Sequence, residues 1–317
     1  MSDILVSVIC ISYNHDKYIR SALDGFVNQK TDFKYEVIIH DDASTDKTQD
    51  IIKEYEEKYP DVFVCIYQKE NQFSKGKNII REFCIPKVRG KYIAWCEGDD
   101  YWCDEKKLQR QVDFLEKNED YSACVCSSKV QYFETKKEEV VNKTDSDKDL
   151  CFEKLLSWRG EGHFDTCTLL FRAKYGIKPI DFEKADFDDY PQALYLALNG
   201  KIRMLKEVMG VYRVSLPGSW TSKYKDDIEF QKEHLRQVDY LLNAVDQYSK
   251  LRFHDEIEYE KKKRWYPILY KEGQYKKLIK EYKVIWNKEK LKTKIYLFLL
   301  AYFPIIIKIK KKVRKDI

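Results

Sequence analysis

Several short segments gather residue types that can do chemistry on a charged ligand. Glu97-Gly98-Asp99-Asp100-Tyr101-Trp102 places three carboxylates within four residues, and that much like charge at one turn is costly unless something positive sits there. A hard divalent cation, Mg²⁺ or Mn²⁺, held through one or two carboxylates and completed by phosphate oxygens and water, would supply it. A solvated acidic turn is the plainer reading. Asp41-Asp42-Ala43-Ser44-Thr45-Asp46 offers an Asp able to accept hydrogen bonds from a base imide or a ribose hydroxyl, while Ser44 can cap a following helix. Ser12-Tyr13-Asn14-His15 carries a ring that can lie flat on a nucleobase, or simply pack. Phe187-Asp188-Asp189-Tyr190-Pro191 opens a helical stretch with two carboxylates, which capping alone would also explain. His163, between Gly162 and Phe164, reads as structural or as lining a second ligand's side of the site.

The elements around these segments decide whether they meet. The apolar run Ile4 to Ile11 predicts a buried parallel strand, followed by a helix over Tyr18 to Gln29 and a strand over Tyr35 to His40. A helix from Ser44 to Tyr59, a strand from Val62 to Gln68, a helix from Lys75 to Val88 and a strand from Lys91 to Cys96 continue the alternation. Such a pattern predicts an α/β protein with a mostly parallel central sheet flanked by helices, whose ligands sit at the carboxyl ends of the strands. The first three segments fall there. Beyond a helix over Asp104 to Lys117 the pattern predicts mixed strands around Ser122 to Phe133 and an exposed polar loop from Glu134 to Lys148. Short segments including Thr166 to Phe171, a helix from Tyr190 to Leu198 and strands from Lys201 to Val214 follow. From near residue 223 the chain becomes charged and helical, through Lys232 to Tyr248 and Asp255 to Lys294. The expected division is 1–222 for the main domain, 223–294 for a helical appendage and 295–317 for a tail.

Composition excludes other classes. With 317 residues, 44% hydrophobic and 15% aromatic, the chain can bury a sizeable core and is neither disordered nor low-complexity. Nine scattered cysteines and a start without a basic, then apolar leader predict core thiols and a reducing, cytoplasmic setting. Cys124 and Cys126 lack a second Cys/His pair at zinc spacing. Residues 295–317 hold six basic residues and one acid, which accounts for the whole net charge of +5. Ile295 to Ile307 is thirteen residues without a charge and contains Pro304, too short for the roughly 20 a bilayer requires. The apolar stretch plus clustered cations suits the interface of an anionic leaflet, or else a helix packed on the protein with a solvated tail. No other basic stripe supports nucleic acid.

Three segments in register, Val6 to Asn14, Val37 to Asp46 and Gly90 to Asp100, resemble the inverting glycosyltransferases of family 2, over roughly residues 4 to 215. The resemblance implies the GT-A nucleotide-diphospho-sugar fold over 1–222, with 1–103 as the nucleotide-binding half and 104–222 as the acceptor-binding half, and a C-terminal helical appendage. Tyr13 is then expected to stack on or edge the nucleobase, Asp42 to bond the base and Asp99 to contact the ribose or the sugar. Asp100 would coordinate the cation bridging the donor phosphates, with Glu97 at the first acid of the metal-binding motif in place of the usual Asp. Lys77, where relatives often carry Arg, would lie beside the diphosphate as a point charge, and Arg213, in Val208 to Val214 ahead of Gly218-Ser219-Trp220, would contact it too. Asp189 matches the Asp that provides the catalytic base, since inversion needs one carboxylate to take the acceptor hydroxyl's proton.

These roles imply a Mn²⁺- or Mg²⁺-dependent transfer from a nucleotide-sugar, UDP by default, to a glycan or lipid-linked acceptor in surface-polysaccharide synthesis. The setting would be the cytoplasmic face of the cell membrane, to which the enzyme binds peripherally. A non-catalytic sugar-nucleotide or glycan module and a nucleotidyltransferase are the competing readings. A dinucleotide-dependent dehydrogenase is excluded, because no G-x-G-x-x-G follows the first strand.

Overall fold

The computed structural model describes residues 4–132, 135, 137–141, 143–157, 162–184, 187–214, 224 and 227–303. It divides into two compact units, Met1–Ser222 and Lys223–Ile317.

In the first unit the apolar run becomes strand β1 (Ile4–Ser12), joined in parallel to β2 (Lys34–Asp41) and β4 (Tyr92–Trp95), with β3 (Phe63–Tyr67) outside β2. The central strands β1, β2 and β4 are largely buried on both faces, which is why they read as mostly apolar runs, while the edge strand β3 is only half-buried. Helices α1 (Ile19–Val27), α2 (Thr48–Lys58) and α3 (Lys107–Lys117) contribute Leu23, Phe26, Ile52, Leu108 and Leu115 to that core. Past β4 the sheet becomes mixed. β9 (Leu170–Arg172) pairs antiparallel with β4 and with β6 (Tyr121–Tyr132), and β10 (Lys201–Val214) lies parallel to β6. β5 (Tyr101–Trp102) and β8 (Lys148–Leu150) pair antiparallel with β10, and β7 (Glu138–Val141) with β6; helices α4 (Phe152–Leu156) and α5 (Asp189–Asn199) lie between β8 and β10 in the chain.

Buried polar groups fix the start of β4. Glu36, fully buried in β2, accepts a hydrogen bond from Ser7 Oγ (2.6 Å) and another from Arg89 Nε (2.7 Å). Gly90 must be glycine, because a Cβ there would lie 2.6 Å from the backbone nitrogen of Ser7.

Three expected elements of the first unit differ. The helix expected over Lys75 to Val88 is instead a 3₁₀ turn (Phe73–Lys75), one π-type turn (Ile80–Cys84) and a second 3₁₀ turn (Ile85–Lys87). Gly76 at φ +74° breaks the first turn and Pro86 prevents a longer run. The polar stretch 134–148, expected to be a loop, contains β7, where Val140 and Val141 take up the edge of β6. The helix expected from Ser44 begins at Thr48, since Ser44 and Asp46 are spent on loop contacts.

All nine cysteines are free, and Cys124 and Cys126 are buried in β6. The second unit is helical: α6 (Ile228–Tyr248), α7 (His254–Lys271), α8 (Tyr275–Lys280), α9 (Lys283–Trp286) and α10 (Leu291–Tyr302). Asp227 caps α6 by accepting from the backbone N–H groups of Glu229 and Phe230. The helix expected through Lys294 is therefore interrupted, first at Gly273 with φ +73°. Among the described residues no helix is long and apolar enough to cross a membrane. Gly218-Ser219-Trp220, Pro304 and the basic cluster Lys308 to Lys315 lie outside the described residues.

Candidate active site

Strand register brings the first two segments together. Ser12 and Asp41 are partners at the carboxyl ends of β1 and β2, so the loops that follow run side by side. Asn14 (φ +55°) and Ala43 (φ +62°) turn the two loops. Asn14 Oδ1 accepts from the Thr45 N–H (2.8 Å), Asp46 from the Asp16 N–H (3.1 Å) and Thr48 Oγ1 from the His15 N–H (2.8 Å). The result is a rigid edge from which Tyr13 stands out 45% exposed.

The adjacent acids Asp41 and Asp42 each have a structural use. Asp41 accepts from Gln49 Nε2 (2.6 Å) and from the Ser44 backbone N–H (3.0 Å). Asp42 accepts from the backbone N–H groups of Gln72 (2.7 Å) and Phe73 (3.0 Å). Asp42 thus holds the 71–75 loop against the strand end with both carboxylate oxygens, each of which keeps a second lone pair. Lys77, half exposed on the same loop, donates to Glu82 Oε2 (3.0 Å).

After β4 the chain stays bonded to β1 through Cys96 N–H to Ile9 O and Gly98 N–H to Ile11 O, then turns with Asp100 N–H to Glu97 O (3.1 Å). A Cβ at Gly98 would lie 2.7 Å from Ile19 Cδ1 and 3.0 Å from the His15 ring, so a glycine separates the acids. Arg213 of β10 braces the turn. Its backbone N–H donates to Asp100 Oδ1 (2.8 Å) and its guanidinium to the Asp99 carbonyl (2.6 Å), while the guanidinium stacks 4.6 Å from the Tyr101 ring. Arg213, expected to contact diphosphate, also braces the turn that carries the acids.

Two carboxylate oxygens are left over. Asp100 Oδ2 and Glu97 Oε2 are buried and have no hydrogen-bond partner. Burial, then the neighbouring Asp99, pushes the Glu97 carboxyl up to about 8, with smaller contributions from Asp189 and Asp165. Asp100 is pushed well above the usual carboxylate range by burial, then by Asp99 and Glu97, and is partly relieved by the Arg213 N–H. Uncompensated, such acids hold protons at neutral pH; a divalent cation would let them ionise. Among the described residues no three His, Cys, Asp or Glu side chains form a ready-made cage. That donor set suits an ion that takes one or two carboxylates and completes its shell with phosphate and water.

Asp189 is the first residue of α5 (Asp189–Asn199) and accepts from the Tyr190 N–H (2.7 Å). Burial raises its pKa, the Tyr190 N–H works against that, and Asp188 raises it further. Its neighbour has a different task. Asp188 accepts from Asn78 Nδ2 (3.1 Å) and pairs with the buried Lys178 ammonium (3.4 Å), tying α5 to the 71–87 segment. The Asp188 side chain does not cap the helix.

Sequence reading missed Asp165 and His15. Asp165 is buried, accepts from Ser128 Oγ, lies 3.3 Å from His163 Nε2 and adds to the charge felt by Glu97 and Asp100. His15 Nε2 lies 3.9 Å from Asp99 Oδ2. His15 had a visible signal, standing beside Tyr13 at the end of β1. A lone Asp before Thr166 had none.

Residues 7–176, more than half of the chain, match Glycosyl transferase family 2. The chain belongs to that family. An uncharacterised Mycobacterium tuberculosis protein, Rv1520, is 37% identical over 225 residues, which are 71% of this chain and 63% of that protein. The chain thus spans less than two thirds of that relative. An Escherichia coli protein, the UDP-Glc:alpha-D-GlcNAc-diphosphoundecaprenol beta-1,3-glucosyltransferase WfaP, is 28% identical over 70% of this chain and 82% of its own. Among solved structures, S. aureus TarS 1-349 in complex with UDP-GlcNAc superposes with a TM-score of 0.54 at 15% identity, covering 84% of this chain and 81% of TarS 1-349. The Pyrobaculum calidifontis mannosyltransferase PcManGT, in complex with GDP-Man and Mn²⁺, superposes at 0.53 and 16% identity, covering 95% of this chain and 87% of its own. At these identities the likeness establishes the GT-A fold.

Proposed function

We propose that this family 2 member is an inverting glycosyltransferase that moves a hexosyl or N-acetylhexosaminyl group from a UDP-sugar to a glycan or lipid-linked saccharide. The reaction would serve surface-polysaccharide synthesis at the cytoplasmic face of the membrane. The observation that carries the reading is the pair of buried, unpartnered oxygens on Glu97 and Asp100, in one acidic cluster with Asp189. The printed names of WfaP and TarS, with UDP-Glc and UDP-GlcNAc, support the choice of donor.

Each residue then has a stated task. Tyr13 stacks on the base, on the rigid edge formed by the β1 and β2 loops. The loop that Asp42 holds closes the other side of the base. Asp99, 3.9 Å from His15, faces the ribose or sugar. Lys77 exchanges Glu82 for a phosphate oxygen, which its exposed, flexible stem permits. Asp100, with Glu97, holds Mn²⁺ or Mg²⁺, which when bound offsets the charge of the leaving diphosphate. Asp189 takes the proton from the acceptor hydroxyl as that oxygen bonds to the anomeric carbon and the bond to the diphosphate breaks on the opposite face.

Calorimetric titration with UDP, GDP and dTDP, with and without Mn²⁺, tests the donor side without any knowledge of the acceptor. Cation-dependent binding of UDP is expected. Binding of no nucleotide under either condition overturns the proposal.

A further inference from the structure

The helix α10 carries an apolar stripe that its own unit leaves uncovered. Leu291, Ile295, Phe298 and Tyr302 recur at spacings of four, three and four residues, on one side of a 3.6-residue helix. They are 73%, 54%, 45% and 39% exposed, while Leu297 and Ala301 on another side are buried. The stripe continues into Phe303, also half exposed, whose ring lies 6.4 Å from that of Phe298.

The segment of sequence that carries the stripe is strongly basic. Lys276 sits 5.6 Å from the Tyr302 ring, and Lys292 is exposed beside Leu291. Residues 271–317 contain fifteen basic and four acidic residues, a net of +11, so residues 1–270 carry −6. A second copy of this surface would bring like charge against like charge. An anionic lipid surface is complementary in both respects, accepting rings and aliphatic chains below the headgroups and lysines among them.

We infer that α10 is the membrane-contacting face of the protein, inserting Leu291, Ile295, Phe298 and Tyr302 into the headgroup boundary of an anionic leaflet. This specifies the residues behind the membrane placement proposed above and rests on it. The helix lies in the interface and does not span it.

The test is co-sedimentation of the full chain with phosphatidylcholine vesicles, with and without phosphatidylglycerol, in the absence of nucleotide and acceptor. Wild-type protein is expected to bind the phosphatidylglycerol vesicles, weakly at high salt, and to bind pure phosphatidylcholine at least about tenfold less. The double substitution Ile295→Ser and Phe298→Ser is expected to lower binding by about tenfold or more. Both positions are exposed, and an unchanged circular dichroism spectrum checks the fold. Lys276→Glu with Lys292→Glu should weaken binding to anionic vesicles only.

Failure of wild-type protein to bind, or undiminished binding by the serine variant, overturns the inference. So does a wild-type dimer that the serine variant breaks without loss of vesicle binding, which would make the stripe a self-interface. Nucleotide titration is independent of all these outcomes, so failure here and failure of the transferase reading are separable.

Discussion

Glu97→Gln is expected to stabilise the metal-free protein at neutral pH, although it removes a residue assigned to the cation. The Glu97 carboxyl ordinarily ionises near 4.5 and here is pushed up to about 8 by burial and by Asp99. An acid whose pKa is raised on folding binds its proton more tightly in the native state. The folded state therefore loses stability as pH rises from about 4.5 to about 8, at about 1.36 kcal/mol per pH unit. Between about pH 5.5 and about pH 7.5 the loss from Glu97 alone is roughly 3 kcal/mol, or about 6–12 °C in melting temperature for a unit of this size.

The assay is thermal unfolding of both proteins at those two pH values, in EDTA and in excess Mn²⁺. In EDTA the wild type should lose stability over the interval, and the Gln variant should lack that share while keeping the part due to Asp100. Added Mn²⁺ should stabilise the wild type most at the higher pH, where the carboxylates are free to ionise around it, and should help the variant much less. Identical pH slopes for the two proteins in EDTA would refute the burial argument, and wild-type melting that ignores Mn²⁺ would remove the cation from this site.

Asp189→Asn should leave UDP affinity within about twofold, since Asp189 touches no donor group in the proposal, and reduce kcat by at least about a hundredfold; substantial remaining transfer would remove Asp189 as the base. Because burial raises the Asp189 pKa and the base must be deprotonated, the acid limb of kcat/KM should lie above the usual range near 4; a limb at or below that range would count against the assignment. Tyr13→Ala should weaken UDP binding by roughly tenfold through lost stacking and Tyr13→Phe should restore it, whereas equal affinity for all three proteins would make Tyr13 a bystander. Arg213→Lys loses the planar fork that reaches the Asp99 carbonyl and the Tyr101 ring, and should weaken Mn²⁺-dependent donor binding by about tenfold or more; unchanged affinity would show that the turn needs no brace.

The parallel half of the sheet was legible because each strand is a short, mostly apolar run, and β1, β2 and β4 each end in a polar, chemistry-bearing segment. Once β1, β2 and β4 are neighbours, Tyr13, Asp42 and Glu97 to Asp100 must converge, whatever the loops do. What was not legible depends on long-range pairing. β7 hides in a polar stretch because its side chains stay largely exposed and it is held by backbone pairing to β6. Asp165 joins the acidic cluster through β9 and β6, from a position whose neighbours Phe164 and Thr166 carry no periodic signal. Asp42 was read as an acceptor for a ligand because its type and place allow that; its second task, holding the 71–75 loop through backbone N–H groups, depends on a loop far along the chain and left no mark in the sequence. Type and spacing report what a side chain can do, and the folded backbone decides what else it is asked to do.

The same distinction separates Asp100 from the other acids near it. Asp41, Asp42, Asp46 and Asp188 each spend their oxygens on protein donors, and removing any of them would loosen a loop. Asp100 is divided: Oδ1 is held by the Arg213 N–H while Oδ2, equally buried, is held by nothing. An unpaired buried oxygen costs about 1–3 kcal/mol; Glu183 and Asp246 also leave one such oxygen, but their other oxygens pair with Arg81 and His254, whereas Asp100 stands among further acids with no cationic side chain on either oxygen. One oxygen is therefore fixed so that the other points in a single direction. An ion could compensate both that oxygen and Glu97 Oε2 at once, which is why the cost of this turn, rather than any one residue's identity, argues for the cation.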